Sequence, residues 1–311
     1  MPLDPQIRAM LDKAAASGIP PFHQLPVETC RKLFAQVITA LPQSTQPIAG
    51  SRDLSIDGPG GRIPLRVFQP IGTGPFPVLV FSHGGGWVVG DVAIYNSLCR
   101  ELCGLAGCVV VSVDYRLAPE HKFPAAADDC AAATRWVHAH AAGIGADPRR
   151  VVVGGDSAGG NLAAATALRL RDEGGPALSG QLLVYPATDH YSRPTVSMVD
   201  NAQGYGLSAA DMAWFTNHYL AAPADIDNPY ANPLRAASLA GLPPALVITA
   251  EYDPLRDEGE AYARALQRAG VATQLSRYDG ANHGFFSRFG LIDLGRVAIG
   301  EACGWLKQRF A

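Results

Sequence analysis

The sequence predicts an α/β fold: one mostly parallel sheet of about eight strands, flanked by helices. Short runs that are apolar along their whole length recur down the chain, as VLVFS from Val78, VVVSV from Val109, VVVGG from Val151, QLLVY from Gln181 and ALVIT from Ala245, with a weaker TQLSRY from Thr273. Ala-rich segments of helical character separate most of these runs. A strand that is apolar on both faces needs cover on both, so the alternation is read as parallel strands with helices above and below. The 311 residues are 48% hydrophobic and 17% charged, enough apolar material for one large core and too little charge for a disordered chain.

In chain order, residues 1–45 read as helical with an interruption at Pro20-Pro21, and they precede the sheet. Ser51 to Ile56 and Arg62 to Phe68 then form extended stretches on either side of Asp57-Gly58-Pro59-Gly60-Gly61, a hairpin signal. The strand–helix alternation follows and is broken once, at about 187–235, where Ala210 to Leu220 is read as a helix among Pro and Asn breakers. Long insertions in compact domains tend to serve function. Both irregular regions are therefore read as a cap: residues 1–45 as its N-terminal part, and 187–235 as an insertion into a main domain spanning 46–311.

The net charge of −3 and scattered arginines give no footprint for nucleic acid. No run of about 18 apolar residues suggests a membrane span, and the acidic, interrupted N-terminus does not resemble a secretory signal. Cys30, Cys99, Cys103, Cys108, Cys130 and Cys303 contain no CxxC pair and sit mostly in apolar segments. They are expected to be buried, reduced thiols of a cytoplasmic protein, with no metal site among them.

Two glycine-rich turns carry the chemistry. Gly155-Asp156-Ser157-Ala158-Gly159 is a G-x-S-x-G pattern directly after one strand and directly before a helix. That turn raises a serine hydroxyl at the carboxyl edge of the sheet, beside the positive end of a helix dipole. Upstream, His83-Gly84-Gly85-Gly86-Trp87 follows another buried strand. Consecutive glycines let backbone N–H groups face a cavity, and the amides of Gly85, Gly86 and Ala158 are the expected donors to an oxyanion. His83 is expected to fix this loop.

With these motifs in hand, the chain resembles the hormone-sensitive-lipase branch of bacterial carboxylesterases, the family IV esterases. The resemblance rests on HGGGW at His83, DYRLAPEHKFPAA from Asp114, GDSAGGN from Gly155, DPLRDEG from Asp253 and HGF at His283, and it runs from about residue 50 to the end. It implies an α/β-hydrolase fold with a helical cap and an active enzyme.

A serine needs a base to take its proton and a third group to orient that base. Of eight histidines, only His283 lies in a loop after the final strand, at the carboxyl edge of the sheet. His138 and His140 sit at a helix, His121 in a loop, and His23, His190 and His218 in the cap. For the acid, Asp253 directly follows a strand, whereas its competitor Asp257 is already in the next helix. The expected triad is Ser157, Asp253 and His283, in the order this fold uses. Glu251 and Tyr252 are read as orienting the acid or as edge-of-core residues. Asp114, Arg116 and Glu120 are read as a polar network shaping the nucleophile loop. Trp87, Tyr185, Trp214 and Phe285 are read as lining a substrate pocket, with core packing as their alternative.

The expected reaction is ester hydrolysis through an acyl-enzyme, with no metal or organic cofactor and a small-molecule ester as partner. The resemblance implies acyl chains of short to medium length and a homodimer paired through the last strand. Lactone or amide hydrolysis would share the tetrahedral intermediate, and a small-molecule receptor on this fold is the alternative from outside enzymes.

Overall fold

Each expected apolar run forms a strand in the computed structural model, which describes residues 1–311. The strands are β1 (Gly50–Gly58), β2 (Gly61–Gln69), β3 (Phe76–Ser82), β4 (Val109–Val113), β5 (Ala146–Asp156), β6 (Gly180–Val184), β7 (Ala245–Tyr252) and β8 (Thr273–Asn282). They make one eight-stranded sheet in the order β1-β2-β4-β3-β5-β6-β7-β8. β1 and β2 pair as the expected hairpin, and β2 meets β4 antiparallel. All pairings from β4 to β8 are parallel.

The period-two geometry of a strand divides the apolar runs between two layers. Val78 and Val80 of β3 join Val109, Val111, Val151 and Val153 in one cluster of 48 buried residues. Leu79, Phe81, Val110 and Val152 point the other way into a cluster of 33. The first layer is closed by α4 (Ala125–Ala139), α5 (Ala158–Asp172) and α8 (Arg256–Arg268), through residues such as Val137, Leu162 and Leu266. The second is closed by α3 (Asn96–Ala106) and α9 (Asp293–Phe310), through Leu98, Leu102, Ile299 and Leu306. All six cysteines are buried and unpaired.

The two irregular regions meet each other. The N-terminal one holds α1 (Pro5–Ala16) and α2 (Val27–Thr39), and the insertion holds α6 (Val196–Asp200) and α7 (Ala209–Tyr219). Ser208 and Asp211 form a capping box at the start of α7, satisfying the amide donors of its first turn. Asp211 also accepts hydrogen bonds from the backbone N–H and the Nδ1 of His23, both through Oδ1, at 3.0 and 2.8 Å. Phe22 packs edge-on against Phe215 of α7, ring centroids 5.9 Å apart. Phe215 in turn reaches the glycine loop after β3, so the two irregular regions are fastened directly against that loop.

Candidate active site

Ser157 sits between β5 and α5 with φ 57° and ψ −120°, a conformation costly for any residue with a side chain. Its neighbours explain how the turn closes. A Cβ at Gly159 would stand 1.9 Å from the carbonyl oxygen of Ser82, and one at Gly155 would meet the backbone of Gly159 at 2.4 Å. Only glycine at both positions lets the strand, the turn and β3 approach so closely. The amide of Ser157 donates to Val184 O at 2.8 Å, which fixes the turn to the neighbouring strand β6.

The parallel register brings the ends of β5, β7 and β8 to one edge of the sheet. Asp253 follows β7 and His283 follows β8. His283 Nδ1 donates to Asp253 Oδ2 at 2.7 Å, and the Ser157 hydroxyl donates to His283 Nε2 at 2.9 Å. The second oxygen of Asp253 accepts from Leu255 N at 2.9 Å, so a carboxylate with no solvent exposure has a partner on each oxygen. This orientation fixes the imidazole tautomer that can accept a proton from the serine. Asp257 does not join the group: it accepts from Ser197 N and pairs with Arg256 on α8.

In the loop after β3, Gly85 and Gly86 adopt φ 116° and 58°. Their amides donate to nothing within the protein, whereas the Gly85 carbonyl accepts from both Val88 N and Val89 N. Ala158 is the first residue of α5, where an amide has no acceptor inside its own helix. A Cβ at Gly86 would stand 2.2 Å from the Phe215 ring. His83 donates from Nδ1 to Gly84 O at 2.8 Å and stacks on Tyr115, with ring centroids 4.3 Å apart. Burial pushes its pKa down to about 4, so it is a neutral strut of the loop.

Several sequence-based assignments change. Phe285 has no exposed surface and packs against Tyr185 and Tyr278 in the second core layer. It lines no pocket. Tyr185 is 1% exposed and lies against the His283 ring at 4.6 Å, a support for the imidazole. Trp87 is 4% exposed and stacks flat on Tyr219 of α7 at 4.3 Å. Trp214 is half-buried in the cap, edge-on to Phe215. Glu251 accepts from Gly280 N instead of orienting Asp253, and the Tyr252 hydroxyl donates to the backbone of residue 1. Asp114, Arg116 and Glu120 form no single network: Arg116 pairs with Asp129 on α4, Glu120 with Arg31 on α2, and Asp114 accepts from Val92 N. They fasten the loop after β4 to its surroundings and do not reach the nucleophile turn.

Other residues of the site carry no motif of their own. Asn201 donates to the carbonyls of Glu251 and Asp253 at 3.3 and 3.2 Å, and the Ser197 hydroxyl donates to Pro254 O at 2.9 Å. Asn282 donates to Tyr205 O at 2.8 Å. The insertion thus grips both the acid loop and the base loop. The only signal in the sequence is the adjacency of Asn282 to His283. No group of three or more His, Cys, Asp or Glu side chains is placed to hold a metal ion. No helix is long and apolar enough to cross a membrane.

The fold and this arrangement define a protein class, and the comparisons agree with it. Residues 79–287 match a family described by its alpha/beta hydrolase fold. The chain belongs to that α/β-hydrolase family, in its hormone-sensitive-lipase branch. It is 45% identical over 300 residues to the carboxylic ester hydrolase LipN of Mycobacterium tuberculosis, covering 93% of this chain and 78% of that protein. It is 36% identical to the ethyl acetate hydrolase of Pseudomonas putida, covering 97% and 98% of the two chains. A solved hyperthermophilic esterase from Pyrobaculum calidifontis superposes with a TM-score of 0.96 at 44% identity, over 99% of each chain.

Proposed function

We propose that this protein is a carboxylesterase that hydrolyses short- to medium-chain acyl esters, with Ser157 as nucleophile, His283 as base and then acid, and Asp253 as the orienting carboxylate. Carboxylic-ester hydrolysis is the activity that its named relatives share. The observation that carries the residue roles is the unbroken chain from the Ser157 hydroxyl through His283 to a fully buried Asp253.

In this reading Ser157 Oγ attacks the ester carbonyl carbon while its proton passes to His283 Nε2. The carbonyl oxygen gains the negative charge and is held by the amides of Gly85, Gly86 and Ala158, each donor contributing about 3 to 4 kcal/mol in comparable sites. His283 then gives its proton to the departing alcohol, leaving the acyl group on Ser157. Water repeats the sequence, delivering its proton to His283 and releasing the acid and the free serine. Residues 1–45 and 187–235 serve as the cap that shields these steps, with the Phe215 ring packed against Gly86 and the half-buried Trp214 beside it as the cap residue offered to substrate. We propose further that the protein pairs into a dimer through the edge strand β8 and works in the cytoplasm, a location that suits six unpaired cysteines.

A fluorophosphonate probe tests the central claim. It is expected to label the wild type covalently and to leave Ser157→Ala unlabelled, with kcat for nitrophenyl butyrate falling by at least about 10³-fold in the variant. Equal labelling of both proteins would remove Ser157 from its role. A series from nitrophenyl acetate to palmitate should peak at or below the medium lengths, and a maximum at the long end would overturn the acyl-chain assignment.

A further inference from the structure

The nucleophile turn and the oxyanion loop come from different strands, β5 and β3, yet the three proposed oxyanion donors are divided between them. Ala158 stands on one side, Gly85 and Gly86 on the other. Alignment to a fraction of an ångström then requires something to hold the two turns in register. Asp156, the residue before the nucleophile, is placed to do so. Its carboxyl is 3% exposed, and its Oδ1 accepts from Gly84 N at 2.9 Å. Its Oδ2 accepts from the Tyr95 hydroxyl at 3.1 Å. The Gly84 amide also lies 3.1 Å from the Tyr95 oxygen. The fit is close: a Cβ on Gly84 would stand 2.7 Å from Asp156 Oδ2 and 2.8 Å from Tyr95 Oη.

We infer that Asp156, in its ionised form and together with Tyr95, is a positioning residue that clamps the oxyanion loop to the nucleophile turn, so that its protonation weakens transition-state binding. The inference deepens the esterase reading above and rests on it.

The surroundings fit a buried anion that is held but not neutralised. Burial pushes the carboxyl up to about 6, and the Tyr95 hydroxyl, the Gly84 amide and the charge of His283 each pull it back. The groups facing it are Tyr95 at the N-cap of α3 and Cys99 within it, Tyr115 after β4, Tyr185 after β6, and His283 and Arg288 after β8. Tyr115, Tyr185 and Cys99 have pKa values raised by burial and stay neutral. Arg288 forms no ion pair with any carboxylate; it donates to His283 O at 3.2 Å, and burial lowers its pKa while Tyr185, Tyr95 and, least, Asp156 oppose that. An ionised acceptor binds an amide about twice as strongly as a neutral one, so a proton on Asp156 loosens the clamp.

Asp156→Asn keeps the size of the side chain and removes the charge. The expected result is a kcat for nitrophenyl butyrate lower by about 10- to 100-fold at pH 8 with KM changed little, and a matching rise in Ki for a trifluoromethyl ketone, which forms a tetrahedral oxyanion on Ser157. The acid limb of the wild-type kcat/KM profile is expected to fall more steeply than one proton allows, and that of Asp156→Asn with a single-proton slope. Tyr95→Phe keeps the carboxylate and removes a donor that lowers its proton affinity. Its acid limb is expected to shift to higher pH, with a smaller loss at pH 8. The clamp is overturned if kcat per labelled site and ketone Ki in Asp156→Asn match the wild type, or if Tyr95→Phe leaves the acid limb in place. Failure of fluorophosphonate labelling in the wild type would instead remove the esterase reading itself.

Discussion

His283 has two nitrogens and needs a different partner on each, and the choice between two nearby aspartates decides whether it gets them. Asp253 presents Oδ2 to Nδ1 at 2.7 Å from a site without solvent exposure, while Asp257 faces Ser197 and Arg256. Asp253→Asn can present an amide N–H to the ring and so favour the tautomer whose Nε2 carries the proton, which cannot accept from Ser157. We expect kcat to drop by about 10³- to 10⁴-fold with KM nearly unchanged. Asp257→Asn should stay within a few-fold of the wild type, and steady-state kinetics on both variants separates them. A large kcat loss in Asp257→Asn alone would reverse the assignment. The strand-end placement of Ser157, Asp253 and His283 was legible in the sequence because each is fixed locally: a serine between glycines at a strand end, an aspartate one residue past a strand, a histidine in the last such loop. The aromatic positions were not. Whether Phe285 faces a pocket or the core depends on how the chain turns after His283, and the Phe286–Arg288 turn sends it inward.

At the level of elements, the insertion leaves the sheet after β6 and must be anchored where it departs. Glu258 of α8 does this with a carboxyl that is 3% exposed. Its Oε1 accepts from Thr188 N at 2.8 Å and from Asp189 N at 3.3 Å, and its backbone carbonyl accepts from the Thr188 hydroxyl at 2.8 Å. Burial pushes its pKa up to about 8, with the two amides only partly opposing that rise. The sign follows from linkage: the folded protein holds this proton where the unfolded chain, with a glutamate near ~4.3, has lost it. The contribution is fully present below that ordinary value and is lost as pH rises through about 8. Glu258→Gln can accept the same two amide hydrogen bonds and does not titrate. The melting temperature of the wild type should therefore fall more between pH 5 and pH 8 than that of Glu258→Gln, and equal falls in thermal melts would refute this role. The sequence placed Glu258 in a helix inside the DPLRDEG motif but could not show what it holds. Its partners lie 70 residues upstream in a stretch with no periodicity. The strands, by contrast, were legible because runs such as β4 are buried on every residue.

Across the whole molecule, the proposed division into a cap and a main domain follows topology more than packing. Cys30 of α2, Met198 of α6 and Met212, Phe215 and Tyr219 of α7 belong to the same buried cluster as Val78, Val111 and Leu162 of the sheet and its helices. Ile7 and Ile38 of the N-terminal region belong to the opposite cluster, with Phe81 and Ile299. The N-terminal region therefore contributes to both layers, and each fully buried aliphatic side chain of this kind stabilises the fold by about 1.5–3 kcal/mol. A cap built this way has no core of its own to keep it folded when the sheet melts, and the sheet loses apolar cover when the cap is removed. The 311-residue chain is expected to unfold in one calorimetric transition whose van't Hoff and calorimetric enthalpies agree. Removal of residues 1–45 should leave Phe215 without Phe22 and the second layer without Ile7 and Ile38, yielding protein that aggregates or lacks a cooperative melt. Two resolved transitions in the intact chain, or a truncated protein that melts sharply near the wild-type temperature, would instead make the cap a separable domain.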